Sequence, residues 1–243
     1  MTTGLKSSTI ELLKRFNTSF PKFYEQFVSS EVQLQNLKLA YQLYQTQEAV
    51  ISIRPEGNKS ALYFAYRNQS FLLNDIFGVL AAYGLTVHNL NLYGQIHAPM
   101  LVFCKISISR SNQPLTDKLV EKVTKAIRET LSGRFDVEEM LAVEFNLNSP
   151  LVKVETNFYV DRVVQLPTIF IEANSEPALF YKVMNAVWQE DLLVVSANLL
   201  VWRGRTRLIL YLLGPNENMI PEYLGKKISE SIQQRLSGGS ANS

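Results

Sequence analysis

The sequence predicts an α+β protein: two βαββαβ units in tandem behind an N-terminal helical segment. Two observations predict it. The stretch NQSFLLNDIFGVLAAYGLTVHNLNL (Asn68–Leu92) runs from a polar turn through an amphipathic helix to Gly84 and a strand. The same shape returns 107 residues later, with Asp191 in the place of Gly84. Such self-similarity in the order turn, helix, strand, hairpin and helix is the mark of an internal duplication.

The helices of the two copies match position by position. Leu72, Leu73, Ile76, Phe77 and Leu80 face Leu179, Phe180, Val183, Met184 and Val187. Both sets have the spacing of one buried helix face. Beyond the helix, Leu85 and Val87 meet Leu192 and Val194, and Asn91 meets Asn198. The same shift sets Val102, Cys104 and Ile106 against Ile209, Tyr211 and Leu213. A second helix pair follows at a shift of 105, Leu119, Val123, Ile127 and Leu131 against Leu224, Ile228, Ile232 and Leu236.

The elements follow in order. Pro21 starts a helical pattern of Phe23, Tyr24, Phe27 and Val28, and a second helix presents Leu37, Ala40, Tyr41 and Tyr44 on one face. Both are expected to pack on the sheets, or else to dock a partner. Copy one takes strands near Ala61–Arg67, Leu85–Tyr93 and Met100–Ser109, helices near Ser70–Tyr83 and Thr116–Ser132, and a closing strand Met140–Asn146. Copy two takes strands near Thr168–Asn174, Leu193–Trp202 and Thr206–Leu213, with helices Pro177–Glu190 and Pro221–Leu236. Pro221 suits a first helical position. This order implies two antiparallel four-stranded sheets, each with both helices on one face, a ferredoxin-like arrangement. Copy two lacks a last strand, which Ala49–Arg54 or Val152–Phe158 must supply, since an open edge is a liability. The implied boundaries are 1–48 for the helical segment, 49–149 and 150–236 for the two units, and 237–243 for a flexible tail.

Composition excludes more than it assigns. The formal charge of +2 argues for neither nucleic acid nor an anionic membrane. Cys104 is the only cysteine, so no intrachain disulfide can form. No apolar run is long enough to span a bilayer, and the first residues lack a signal-peptide core. The expectation is a cytoplasmic protein. The βαββαβ order is shared with RNA-recognition modules, but the runs MLVFCKI and LILYLL read as packing faces rather than base-stacking platforms.

No Gly-rich phosphate loop, Ser/His/Asp set or paired-carboxylate signature is present, so the sequence argues against catalysis. His88 and His97 lack companions at metal-ligand spacing, and no metal or cofactor is expected. Cys104 reads as core. The run WRGRTR places Arg203, Arg205 and Arg207 on one side of a strand at a hairpin. It is either a solvated hairpin tip or an anion or partner contact.

A βαββαβ unit whose helix starts from a short polar turn and ends at Gly before a β-branched strand resembles an ACT domain. Tandem ACT domains occur in nitrogen-sensing uridylyltransferases and in the N-terminal region of large NAD-dependent glutamate dehydrogenases. The second likeness rests on FYEQFVSSEVQLQNLKLAYQLY (Phe23–Tyr44), AVISIRP, the Phe-Leu helix start and Gly84–His88. Neither enzyme region is read here, so the resemblance implies regulation in amino-acid or nitrogen metabolism without catalysis. It implies an amino-acid effector between the turn Asn68–Asn74 and the strand start Gly84–Asn89, or at Asn174–Phe180 and Leu192–Ser196. The residues so implied are Asn68, Gln69, Ser70, Leu72, Asn74, Gly84, Thr86, His88 and Asn89 in copy one. In copy two they are Asn174, Glu176, Ala178 and Leu193. Helix-start amides there would meet a carboxylate. The family's Pro-Gly at that turn is Ser70-Phe71 in copy one and Pro177-Ala178 in copy two. Losing both glycines favours a protein partner over a small ligand, and the Phe/Leu-rich central strands argue for sheet-to-sheet or edge-to-edge pairing, within the chain or in a homodimer.

Overall fold

The computed structural model describes residues 7–67, 72–96, 101–134, 136–144, 149–176, 178–214 and 218–238. Asn68, Gln69, Ser70 and His97 lie outside the described residues, as does most of the tail.

Three helices come first: α1 (Ser7–Asn17), α2 (Lys22–Phe27) and α3 (Ser30–Thr46). Ser29 caps α3 by accepting from the Val32 amide. Copy one follows as β1 (Val50–Glu56), β2 (Lys59–Arg67), α4 (Leu72–Ala82), β3 (Thr86–Gly94), β4 (Leu101–Ser109), α5 (Asp117–Leu131) and α6 (Val137–Glu144). Copy two is β5 (Glu155–Val160), β6 (Pro167–Asn174), α7 (Leu179–Trp188), β7 (Leu193–Trp202), β8 (Arg205–Leu213) and α8 (Glu222–Leu236).

The α+β class holds, but the strands do not form two separate sheets. They make one antiparallel sheet in the order β1-β2-β4-β3-β7-β8-β6-β5. The halves join edge to edge through β3 and β7, which removes the free edge each would otherwise expose. Asn91 pairs with Asn198 at the centre of that ladder. These residues are 107 apart, so a twofold-like axis runs between them.

Each half closes with a strand that precedes it. AVISIR forms β1 beside β2, and the VKVETNF segment contributes β5 beside β6. Met140–Asn146 is therefore not a closing strand: its first part belongs to α6, whose start is capped by Asp136 accepting from the amides of Glu138 and Glu139. The order is ββαββα in each half rather than βαββαβ.

Both β3 and β7 carry a bulge, at Val87/Asn89 and at Val194/Ser196, again 107 apart. The shift changes at the following strand. Phe64 pairs with Cys104 and Ile171 with Leu208, so β4 and β8 correspond at a shift of 104. Val102, Cys104 and Ile106 therefore do not match Ile209, Tyr211 and Leu213. An odd slip would turn every side chain to the other face. The second hairpin is three residues shorter, turning on Arg203 and Gly204, both at positive φ as a two-residue turn of this hand requires.

One sheet face and helices α4, α5, α7 and α8 enclose the main core, including Leu62, Phe64, Leu90, Ile106, Ile169, Leu199 and Leu210. Cys104 is in this core, and burial pushes its thiol far up. Helix α6 lies across α4 at Gly78, where an added Cβ would run into Val137. On the opposite face α1–α3 cover one end of the sheet, over Ala65, Leu101, Phe103 and Val195.

The inward side of α3 differs from the expected one. Gln33, Asn36, Leu39 and Leu43 are buried, whereas Tyr41 and Tyr44 are 63% and 73% exposed. Phe27 of α2 is also exposed. The two buried amides are acceptable there because they are bonded: Gln33 Nε2 to the Val28 carbonyl and Asn36 Nδ2 to Tyr24 Oη, each at 2.8 Å.

Candidate functional site

The helix α4 ends in a C-terminal turn at Gly84, whose φ is +62, with the Leu85 amide reaching back to the Leu80 carbonyl. Gly84 and Thr86 are thus at the far end of α4 from Asn74. A helix of eleven residues is about 16.5 Å long, so the turn and strand start of one copy do not form a single pocket. The strand–helix–strand reversal places them apart.

The start of α4, at Leu73, instead lies beside the strand start of copy two. Tyr66, Leu73 and Leu92 enclose a cavity of about 30 Å³ together with Val187, Trp188 and Leu193. Its lining is mainly apolar, and its volume suits only a water or two. Leu72 starts α4, but its side chain is outside the described set.

His88 and Asn89 serve the sheet. His88 Nε2 is 2.8 Å from Ser109 Oγ, and burial, then Lys59, lowers its pKa. Asn89 Nδ2 donates to the Leu199 carbonyl across the β3–β7 junction.

The copy-two turn is closed by its own side chains. Lys182 Nζ donates to Glu176 Oε1 at 2.9 Å and to the carbonyl and hydroxyl of Ser149. Ser175 bonds Thr206 and, through its amide, the Gly204 carbonyl. The Asn174 amide reaches the Val152 carbonyl, and Ala178 is buried at the α7 N-cap. An effector at this turn would have to displace these bonds.

The Arg run is divided. Arg203 stands in the turn over the Trp202 ring at 4.4 Å. Arg205 and Arg207 each hold one oxygen of Glu172 at 2.7 Å, Arg205 first among the causes that keep this carboxyl below its usual range. Two of the three charges are thereby matched within the chain, so the run is not a free cationic cluster.

A larger cavity lies in the helix layer. It measures about 610 Å³ and opens between the α4 start, the α5–α6 connection and α7. Asp75, Asp136, Glu138 and Glu139 line it, with Arg134 as the one cation among its described lining residues. Burial, then the charges of Asp136 and Glu138, raise the Asp75 pKa. Tyr181 Oη donates to Glu138 Oε1 at 3.0 Å, and burial, then Glu138, raises its pKa. Among the described residues no group of three His, Cys, Asp or Glu side chains is placed to hold a metal ion.

Sequence reasoning misses this cavity because Met140–Asn146 reads as a strand, which leaves the start of α6 unassigned. The signal was present: Asp136 followed by Glu138 and Glu139 is an N-cap with an acidic first turn. No described helix is long and apolar enough to cross a membrane. The sequence matches no known-family model, and no curated protein matches it.

Proposed function

We propose that the chain is a non-catalytic regulatory module built of two ACT-like, ferredoxin-like units that act through binding rather than chemistry. The carrying observation is the β3–β7 junction. It joins two equivalent halves edge to edge about Asn91 and Asn198, with the four repeated helices on one face. That arrangement makes the start of α4 a neighbour of the strand start of copy two, so an event at either is felt across the junction.

A protein partner is favoured over an amino acid at the turns. The copy-two turn is filled by Lys182 and Glu176, and the cavity beside Leu193 is too small for an amino acid. The second sheet face also offers a surface. Helices α1–α3 cover Tyr93 and Val195, while the equivalent end, with Leu200 and Trp202, is open at 55% and 52% exposure.

The test pairs two measurements on the whole chain. Thermal midpoints are recorded with each common amino acid at millimolar concentration, and the mass of the species is followed by light scattering with and without candidate partners. A saturable shift supports the metabolite form, in which [L] = 100 Kd stabilises by ~2.7 kcal/mol. A stoichiometric complex that Trp202→Ala or Leu200→Asp abolishes supports the partner form. A chain that does neither, or that turns over a substrate, overturns the reading.

A further inference from the structure

Helix α3 carries two faces that could be buried, and the fold uses one of them. The buried side is Gln33, Asn36, Leu39 and Leu43. At about 100° per residue, Leu34, Leu37, Tyr41 and Tyr44 form a second stripe, about a third of a turn round the helix from the first. Their spacing of three, four and three residues is that of a coiled-coil seam, with Leu34 and Tyr41 at a and Leu37 and Tyr44 at d. Leu34 and Leu37 are half-buried, yet among the described residues neither belongs to a hydrophobic core nor packs against one. Both tyrosines stand in solvent, and so does Phe27 at the end of α2. Tyr41 Oη is bonded by Gln45 of the same helix.

Size and charge say what fits this stripe. At about 150–250 Å² per aromatic side chain, the exposed shares of Tyr41, Tyr44 and Phe27, with part of each leucine, come to roughly 500 Å². Two such surfaces together bury about 1,000 Å², the least that a specific interface needs. The stripe is also self-complementary in charge. Glu31 and Lys38 flank it at successive e positions, seven residues apart and both exposed. Neither forms an ion pair among the described residues.

We propose that α3 pairs with α3 of a second copy of this chain, antiparallel, about a twofold axis. Such a contact is isologous, so each residue meets its counterpart's partner twice over. In an antiparallel pair an a side chain of one helix meets a d side chain of the other, and e positions lie beside e positions. Leu34 of each copy packs on Leu37 of the other, which sets Glu31 of each beside Lys38 of the other. Tyr41 then lies over Ser30 at the start of the opposite helix, and Tyr44 reaches past it toward the end of α2 and Phe27. A slip of one heptad puts Leu34 on Tyr44 and brings the two Lys38 ammoniums together, so charge selects the register. Exposed ion pairs of this kind add little affinity and act on alignment. An interface at the lower size limit makes a dimer that forms and parts with concentration. The contact is on the helical segment, not on the sheet face with Leu200 and Trp202, and it does not rest on the ACT-like reading.

The experiment is sedimentation equilibrium of the full chain from low micromolar to submillimolar concentration. A reversible monomer–dimer equilibrium is expected, weakened at least tenfold by Leu37→Asp and by the milder Tyr41→Ser. Tyr41→Ser changes an exposed residue, so it keeps the test readable if Leu37→Asp folds poorly. Leu200→Asp, on the sheet face, should dimerise as wild type. Glu31→Lys alone and Lys38→Glu alone should each weaken the dimer several-fold, and the two changes in one chain should restore it. Mixing the two single variants should restore it too, since each supplies the charge that the other lacks. A chain that stays monomeric throughout overturns the proposal and leaves the stripe to a different protein. So does a dimer that Leu37→Asp and Tyr41→Ser leave intact. Single charge changes that weaken the dimer without recovery in the double variant overturn the antiparallel register. A dimer lost in Leu200→Asp but kept in Tyr41→Ser would sink the α3 contact and leave the sheet-face partner reading standing.

Discussion

Copy one starts its first helix with Asp75 and copy two with Lys182, at the same place in the repeat. Lys182 is 9% exposed at its side chain and satisfied by Glu176 and Ser149. Asp75 faces Asp136 and Glu138 and is held above its usual pKa by burial and by them. The backbone shape has been kept while the charge has reversed. The lesson is that the two helix starts are not duplicate sites: one is closed by a matched ion pair, and the other opens on an acidic cavity.

A packing difference sets the largest expected effect. Phe158 of β5 occupies the place that Ile53 holds in β1, since both sit one ladder step from equivalent residues, Ile169 and Leu62. In copy two the helix answers with Gly225, where an added Cβ would strike the Phe158 ring. In copy one the corresponding turn of α5 carries Leu119 and Val120. Gly225→Val should therefore cost ~3 kcal/mol by overpacking. Adding Phe158→Ile, which restores the copy-one pairing, should recover most of it in a denaturation double-mutant cycle. No recovery would mean that the glycine serves something other than the ring.

The charge reversal gives the next test. Lys182→Ala leaves Glu176 and the Ser149 carbonyl without their donor and should cost about 1.5–3 kcal/mol by chemical denaturation. The change at the equivalent position has the opposite sign. Asp75→Asn removes a carboxylate whose folded pKa is raised, so it should stabilise at neutral pH. The sign follows from linkage: the protonated acid is favoured in the fold, and the penalty is complete above the raised folded pKa and absent below the unfolded value. The gain should thus disappear as pH falls toward the ordinary aspartate range. A destabilised Asp75→Asn at pH 7 would break the contrast between the copies.

The helix stops are the third. Gly84 and Asp191 both take positive φ, +62 and +55, but only Gly does so without strain. Asp191→Gly should gain about 1 kcal/mol, and Gly84→Asp should lose a similar amount. Smallest is the hairpin. Arg203→Ala removes a residue of the turn that stacks on Trp202 and should leave the unfolding midpoint unchanged within error. Arg207→Ala leaves Glu172 still held by Arg205, so it should move acid unfolding only slightly. The fork stabilises above the ordinary glutamate pKa and is lost as pH falls through the lowered one.

Much of the fold was legible because it is written in local periodicity. The apolar face of α4, the stop at Gly84 and the alternation in β3 are each set within a dozen residues. The candidate site was less so. Asn74 was picked out, yet for a pocket with Gly84 that the length of α4 forbids. Thr130 of α5, Asp136 and Glu138 at the start of α6, and Tyr181 of α7 come from three separate elements, and nothing in their spacing brings the three together. Arg205 and Arg207 were visible as a cationic run, but Glu172 lies on another strand and matches them only through the β6–β8 ladder.

The sequence alone determined the duplication, the repeated helices and strands, and the face that α4 and α7 bury, because 3.6- and 2-residue periods are local consequences of backbone geometry. Tertiary structure decided what depends on partners distant in the chain. It chose β1 and β5 as the closing strands and made Val137–Glu144 a helix over Gly78. It moved the second hairpin to a shift of 104 and turned Gln33 and Asn36 inward. It also fused two sheets through Asn91 and Asn198. In each case the free energy lies in ladder hydrogen bonds and packing against a neighbour, and the residues concerned carry no local mark of which neighbour that is.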